Sequence, residues 1–270
     1  MIKLVKKAPL VGAFFVSAFL VPGVSTLALA DAACIAPPGL PGVQVRNVVD
    51  GDTVKLQDGR SVRLIGLNAP ELAHQGRSEE PFAVAARQRL QALVSASQGR
   101  VLMQPGREAR DKYGRTLAHL YAADGSNLEA QLLRDGLALQ IAIAPNTDLV
   151  ACHQQAERQA RAAGLGVWRR TPLIAAGQLR QSGFALVSGR VGQVQRNRGG
   201  TWIALGDSLV VHIAPKDESR FSAALLASYQ GQLLEARGWV LDRSRRGGLR
   251  PGQARWMLAV SDPSMLQRAL

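Results

Sequence analysis

Several common chemistries lack their raw materials in this chain. Of its 270 residues only two are cysteine, Cys34 and Cys152, and neither has the CxxC or Cys/His spacing of a zinc site or a dithiol redox centre. Four histidines, His74, His119, His153 and His212, are scattered without an HxxxH or a His/Asp/Ser arrangement, so no catalytic role falls to them. No apolar run is long enough for a retained membrane anchor. Leu10–Val21 is interrupted early by Pro22, Gly23, Ser25 and Thr26, where a span needs about 20 residues. Acidic residues are scarce as well: 20 Asp and Glu face 33 Lys and Arg, for a net charge of +13.

What is present begins with a leader. Lys3, Lys6 and Lys7, the apolar stretch and the small residues around Ala28-Leu29-Ala30 have the three-part layout of a secretory signal peptide over residues 1–30. Cleavage is expected after Ala30, giving a periplasmic or secreted protein with no stable membrane anchor. Lipid attachment at Cys34 is disfavoured because Asp31 stands where such signals want an aliphatic. Both cysteines survive that cleavage. In an oxidising compartment the pair suits a disulfide tying the N-terminal arm to a helix, and it equally suits two unrelated thiols.

Residues 31–42 read as a Pro/Gly-rich arm. From Val43 the pattern is strand-like, through VQVRNVV, TVKLQ, an Asp58-Gly59 turn and SVRLIGL. Residues 81–97 shift to helical period, with Pro81 suited to a first-turn position. Strands at Val101–Gln104 and Leu117–Tyr121 follow, then helices from about Asn127 to Gly136 and from Thr147 to Gly164. Five short strands with three helices fit an α+β, mainly β domain over residues 43–170, an OB-type barrel. Residues 171–183 read as a linker. Residues 184–270, with five more strand candidates and a helix at Phe221–Tyr229, read as a second OB-like barrel.

The segment VVDGDTVKLQDGRSVRLIGLNAPE gathers three carboxylates, Asp50, Asp52 and Glu71, and one strand arginine, Arg63. Clustered oxygen donors suit a hard cation. A second segment, REARDKYGRTLAHLYAADG, follows. DGDTV, the strand arginine, APE and DKYGR, continuing through NLEAQLLRDGLA to GLGVW, stand in the order and spacing of the thermonuclease (staphylococcal-nuclease-like) family. The resemblance spans residues 43–168. It implies a calcium-dependent phosphodiesterase acting on DNA and/or RNA to leave 3′-phosphate ends. By the same resemblance Asp52, Asn68 and the Ala69 carbonyl would ligate Ca2+, and Asp50 would sit behind them holding a water. Glu71 would activate the attacking water, Arg63 and Arg115 would grip the phosphate, and Lys112 and Tyr113 would contact a terminal phosphate.

Two departures qualify the resemblance. Asn68 stands where the family usually has a second aspartate, which removes a formal charge from the cation site. LALQIAIAPN offers no aromatic where the family commonly places tyrosines against the base. The C-terminal region compensates in composition. Residues 171–270 hold 13 Lys/Arg against 6 Asp/Glu, net +7, with Trp202, Trp239 and Trp256 interleaved among Arg196, Arg198, Arg243, Arg245, Arg246 and Arg250. Such a mixture resembles single-strand-binding barrels, and it equally describes core tryptophans beside solvated loops. The competing functions are a noncatalytic nuclease-like nucleic-acid-binding module of the cell envelope, and an envelope protein holding anionic polymers through its basic end.

Overall fold

The computed structural model describes residues 34–270 apart from 75, 247–248, 250–251 and 270. The leader expected over residues 1–30 therefore lies outside the described residues, as do Arg250 and the side chain of Arg246. The first half runs β1 (Gly42–Val48), β2 (Thr53–Leu56), β3 (Ser61–Leu64), β4 (Leu67–Asn68), α1 (Ala83–Ala96), β5 (Arg100–Arg110), β6 (Thr116–Tyr121), α2 (Leu128–Arg134), β7 (Leu139–Gln140) and α3 (Val150–Ala162). β1, β2, β3, β6 and β5 close into a barrel, with β3 parallel to β6. Gly59 at φ 89° makes the β2–β3 turn that aspartate and glycine foretold. Val54, Leu56, Val62 and Leu64 fill the barrel, and α1 closes it with Ala86, Leu90, Leu93 and Val94.

Helix ends depart from the expected caps. Asn127 does cap α2, accepting from the Ala130 amide at 2.8 Å. Pro81 sits outside α1, whose entry is Phe82 at φ 71°, and α3 begins at Val150 with no side-chain cap from Thr147. Backbone turns satisfy the first amides instead: Ala83 donates to the Glu80 carbonyl at 3.1 Å and Val150 to the Thr147 carbonyl at 3.3 Å.

The N-terminal arm is stitched to this half. A disulfide joins Cys34 to Cys152 of α3 across 118 residues of sequence, with Cα atoms 5.6 Å apart. The Ala36 amide donates to the Gly125 carbonyl at 2.8 Å, and the Asn127 amide to the Cys34 carbonyl at 3.2 Å. Closing so long a loop restricts the unfolded chain, so reduction is expected to cost about 2–4 kcal/mol in urea unfolding. Equal stability with and without reductant would show that the bond constrains nothing.

Beside Cys152 lies a buried histidine. His153 is almost fully enclosed, its Nε2–H donating to Asn127 Oδ1 at 3.1 Å and its ring 5.6 Å edge-on from His119, which itself faces Glu129. Burial, with the neighbouring His119, pushes its pKa down to about 3. The unfolded chain then binds a proton near the ordinary value of 6.5 that the native chain refuses. Stability is full above that value and falls as pH drops towards 3. Between pH 7 and pH 5 His153 should remove about 2 kcal/mol, a loss that His153→Gln should abolish in acid titrations of unfolding. An identical acid slope in the variant would move the effect to another group.

The second half runs β8 (Leu173–Ala175), β9 (Gly183–Asn197), β10 (Gly200–Leu205), β11 (Leu209–Ile213), α4 (Ala223–Ala227), β12 (Leu233–Asp242), β13 (Trp256–Val260) and β14 (Leu266–Arg268). Because β12 pairs with both β13 and β9, strands β9, β10, β11, β13 and β12 close a second five-stranded barrel. β11 runs parallel to β13, so the connectivity repeats that of the first barrel, strand for strand. The chain here is thus mainly β with two OB-type barrels. The segment expected to be a linker carries β8, parallel to β9, and buries Ala176 and Leu179. The helix expected over Phe221–Tyr229 is shorter, since Phe221 and Tyr229 are buried flanks of α4.

The barrels share a packed boundary. Ile141 and Ala142 belong to the second hydrophobic core, and the Ala144 amide donates to Ser261 Oγ at 2.9 Å. At the centre lies Arg237 of β12, 1% exposed. Its Nη1 donates to Glu157 Oε2 of α3 at 2.6 Å and to the Gln140 carbonyl at 3.2 Å, and its Nη2 to Glu235 at 2.9 Å. Arg161 of α3 completes a balanced four-member network by pairing with Glu235 at 2.9 Å. The carboxylates outweigh the cost of burying a guanidinium and hold Arg237 above the ordinary arginine value. No helix among the described residues is long and apolar enough to cross a membrane.

Candidate active site

The first carboxylates are positioned by a glycine. Gly51 lies so close to α1 and the loop after β4 that an added Cβ would come within 2.6 Å of Ala69 Cβ and 2.7 Å of Ala86 Cβ. Only a bare backbone lets Asp50 and Asp52 flank this approach. Asp52 is 5% exposed. Its Oδ1 accepts from Thr53 Oγ1 and its Oδ2 from the Ala69 amide, each at 3.0 Å. Asp50 Oδ1 accepts from the Asp52 amide at 3.0 Å. Burial and the adjacent Asp52 charge push the Asp50 carboxyl up to about 6.

Cross-strand pairing of Thr53 with Arg63 carries the arginine to the same place. Arg63 is buried, with Nη1 2.8 Å from Asp52 Oδ2. The same nitrogen donates to the Leu64 carbonyl at 3.2 Å, and Nη2 donates to Asn68 Oδ1 at 3.3 Å. Asp52, Arg63, Asn68 and Ala69 therefore form one connected cluster. Asn68 sits on β4, whose only partner in its two-stranded sheet is β7. The donors assembled here are one carboxylate, one carboxamide and one backbone carbonyl. Among the described residues no set of three or more Asp, Glu, His or Cys side chains converges as a cation site.

Glu71 follows in the open loop leading to α1, where its amide donates to Glu80 Oε2 at 3.0 Å. Partial desolvation and the charge of Asp52 raise its carboxyl above the usual range, against the opposing pull of Arg63 and Arg115. Glu71 is therefore within electrostatic reach of both arginines and of Asp52.

Arg115 stands just before β6, which pairs in parallel with β3. A tight turn holds it: Asp111 Oδ1 accepts from the Tyr113 and Arg115 amides, both at 2.9 Å, and Asp111 Oδ2 accepts from Arg115 Nε at 2.7 Å. Partial burial opposes ionisation of Asp111, but the Arg115 hydrogen bonds prevail and keep its pKa low. Nη1 and Nη2 of Arg115 make no hydrogen bond to the protein among the described residues, so both remain able to donate to an oxyanion. Lys112 and Tyr113 are exposed on the turn, the ammonium 5.0 Å and the Arg115 guanidinium 5.6 Å from the tyrosine ring. Sequence reasoning picked out DKYGR but not the anchoring part of its aspartate, nor Thr53 and Glu80. An Asp four residues before an Arg across a Gly turn was the available signal.

The profile of the family described as "Staphylococcal nuclease homologue" matches residues 61–170. The Thermonuclease of Staphylococcus intermedius is 33% identical over 129 residues, which are 47% of this chain and 75% of that protein. The chain belongs to the staphylococcal nuclease family. Similarity extends to the SPbeta prophage-derived endonuclease YokF of Bacillus subtilis (strain 168), 31% identical over 49% of this chain and 45% of the relative. Endonuclease YncB of the same organism is 30% identical over 50% of this chain and 65% of the relative. The profile's match to this nuclease-family chain takes in Arg63, Asn68, Glu71 and Arg115 and stops at residue 170, before the second barrel.

Proposed function

We propose that this chain is a calcium-dependent phosphodiesterase, an endonuclease that hydrolyses DNA and/or RNA to 3′-phosphate ends in the periplasm or outside the cell. The observation that carries this reading is the meeting of Asp52, Arg63 and Asn68 in one cluster, with Glu71 and the open fork of Arg115 within electrostatic reach. Export is supported by the signal-like leader and by a long-range disulfide, both at home in an oxidising compartment.

The residues fit a hard cation. Asp52, Asn68 and the Ala69 carbonyl are oxygen donors, and Asp50 and Glu71, both raised by burial and by the charge of Asp52, stand beside them as further carboxyl groups that a cation would favour ionised. Calcium held there would polarise a phosphoryl oxygen and template in-line attack. The remaining chemistry belongs to the chain. Glu71 takes a proton from the water that attacks phosphorus, and its raised pKa makes it a better base than an ordinary carboxylate. The P–O5′ bond breaks, its electron pair leaves with the 5′ oxygen, and solvent supplies that oxygen's proton. Charge gathering on the non-bridging oxygens is met by Arg115 and by the Nε and second Nη2 hydrogens of Arg63.

The test incubates mature protein with single-stranded DNA and RNA, with calcium or chelator, beside Glu71→Gln. Calcium-dependent cleavage leaving 3′-phosphates, reduced at least about 10²-fold in the variant, is the expected result. Cleavage that survives both chelator and substitution sinks the mechanism. Binding without cleavage would favour the noncatalytic module. Restoring the missing charge with Asn68→Asp should lower the calcium concentration for half-maximal activity by roughly tenfold, since ligand charge governs affinity. An unchanged or higher requirement counts against Asn68 as a ligand.

A further inference from the structure

The outer face of the second barrel carries a feature that barrel closure does not need. Trp202 of β10 and His212 of β11 are directly opposed in the ladder. Their neighbours Thr201, Ile203, Val211 and Ile213 point inward and are buried, which leaves both rings on the outside, partly exposed. The rings stack, with centroids 4.1 Å apart and planes 25° from parallel. One turn holds both. Trp202 Nε1–H donates to Asn197 Oδ1 at 3.2 Å, and His212 Nε2–H donates to the Gly199 carbonyl at 2.8 Å, a carbonyl that can only accept. Gly200, at φ 113° and pressed against the Ile213 carbonyl, fixes that turn to the neighbouring strand.

The ring N–H groups are thus satisfied within the protein, and what the pair offers a ligand is its π surface. Cations surround it. The Arg243 guanidinium lies 6.0 Å from the Trp202 centroid, held by the Ala254 carbonyl, and Arg198 is exposed on the same turn. Arg196 is not part of this set: it lies opposite Thr201 in the ladder, on the other face, and is paired with Glu218. The other tryptophans differ: Trp256 is buried, and Trp239 packs edge-on against Phe184. In the first barrel the stretch after α2 offers no aromatic, and its Ile141 and Ala142 pack into the core of the second barrel.

We propose that Trp202 and His212, flanked by Arg243 and Arg198, form a stacking site for an unpaired base of single-stranded nucleic acid, holding the strand that the first barrel cuts. The ligand class rests on the proposed nuclease reading. Planar π surface beside unneutralised guanidinium is the chemistry that takes a base and its phosphate together.

The test uses the full chain in chelator, so that nothing is cut, and reads anisotropy of a fluorescein-labelled oligothymidylate and of a duplex of the same length. The single strand should bind more tightly than the duplex. Trp202→Ala should weaken it about 5–150-fold, Trp202→Phe should retain most of the affinity, and Trp239→Ala should change nothing. Should Trp202→Ala fail to fold, His212→Ala and the quenching of Trp202 emission, read as wild type minus Trp202→Phe, carry the same test. Unaltered binding in Trp202→Ala, equal loss in Trp202→Phe, or preference for duplex overturns the site. Separate assays with calcium distinguish the two readings: Trp202-dependent binding with no cleavage refutes the nuclease alone, and cleavage with Trp202-independent binding refutes the platform alone.

Discussion

Arg115→Lys is expected to lower kcat on a single-stranded oligonucleotide by about 10²–10³-fold while changing urea-unfolding stability by less than ~1 kcal/mol. The two effects separate because of where the guanidinium sits. Its Nε is taken by Asp111 at 2.7 Å, and the side chain is one-third exposed, so the ion pair is worth little to the fold. Its two Nη groups form a planar fork that an ammonium cannot reproduce. Arg63→Lys should lose as much rate and, unlike Arg115→Lys, should also destabilise by about 1–3 kcal/mol. Its buried guanidinium serves Asp52, the Leu64 carbonyl and Asn68 at once, and one ammonium cannot reach all three. Steady-state kinetics and unfolding curves on both variants check the contrast. A wild-type kcat in Arg115→Lys would remove that arginine from the reaction.

Motif and period together made the first barrel legible. DGDTV, the aspartate-glycine turn and the alternating SVRLIGL run announce a hairpin, and a hairpin places Arg63 opposite Thr53 with Asp52 at its shoulder. What stayed hidden was the state of the cluster. Nothing in the order of residues says that Arg63 is ion-paired to Asp52 and hydrogen-bonded to Asn68, because those contacts depend on side-chain rotamers rather than spacing. Alternation along LLEARGWVL likewise puts Glu235, Arg237 and Trp239 on one face of β12, away from the barrel interior. Period tells a face from its opposite and cannot tell what covers it. Glu235 and Arg237 are covered by α3, while Trp239 stays 41% exposed. The aromatic-poor LALQIAIAPN has the same lesson, since its Ile141 and Ala142 are covered by a neighbouring barrel.

That covered face carries the second large expected effect. Arg237→Ala should cost about 3–5 kcal/mol, because it strands Glu157 without a cation and leaves Glu235 only the part-exposed Arg161, in a site from which water is excluded. Arg237→Met restores volume but not charge and should recover little. Adding Glu157→Gln and Glu235→Gln to Arg237→Met should recover most of the loss. After Glu157→Gln the side-chain carbonyl can still accept from the Gln140 amide, which now donates to Glu157 at 2.7 Å, and Arg161, 38% exposed, can turn to water. The consequence reaches the first barrel through a short path. Arg237 holds the Gln140 carbonyl at 3.2 Å, Gln140 belongs to β7, and β7 is the strand that pairs with β4 and so places Asn68. If calcium binds as proposed, loosening β7 should therefore raise the calcium concentration for half-maximal activity in Arg237→Met while leaving kcat at saturating calcium close to wild type. If the calcium requirement is unmoved, β4 is held by the 3.0 Å bond from the Ile141 amide to the Gly66 carbonyl and by its own ladder, and the second barrel stabilises the chain without tuning the site.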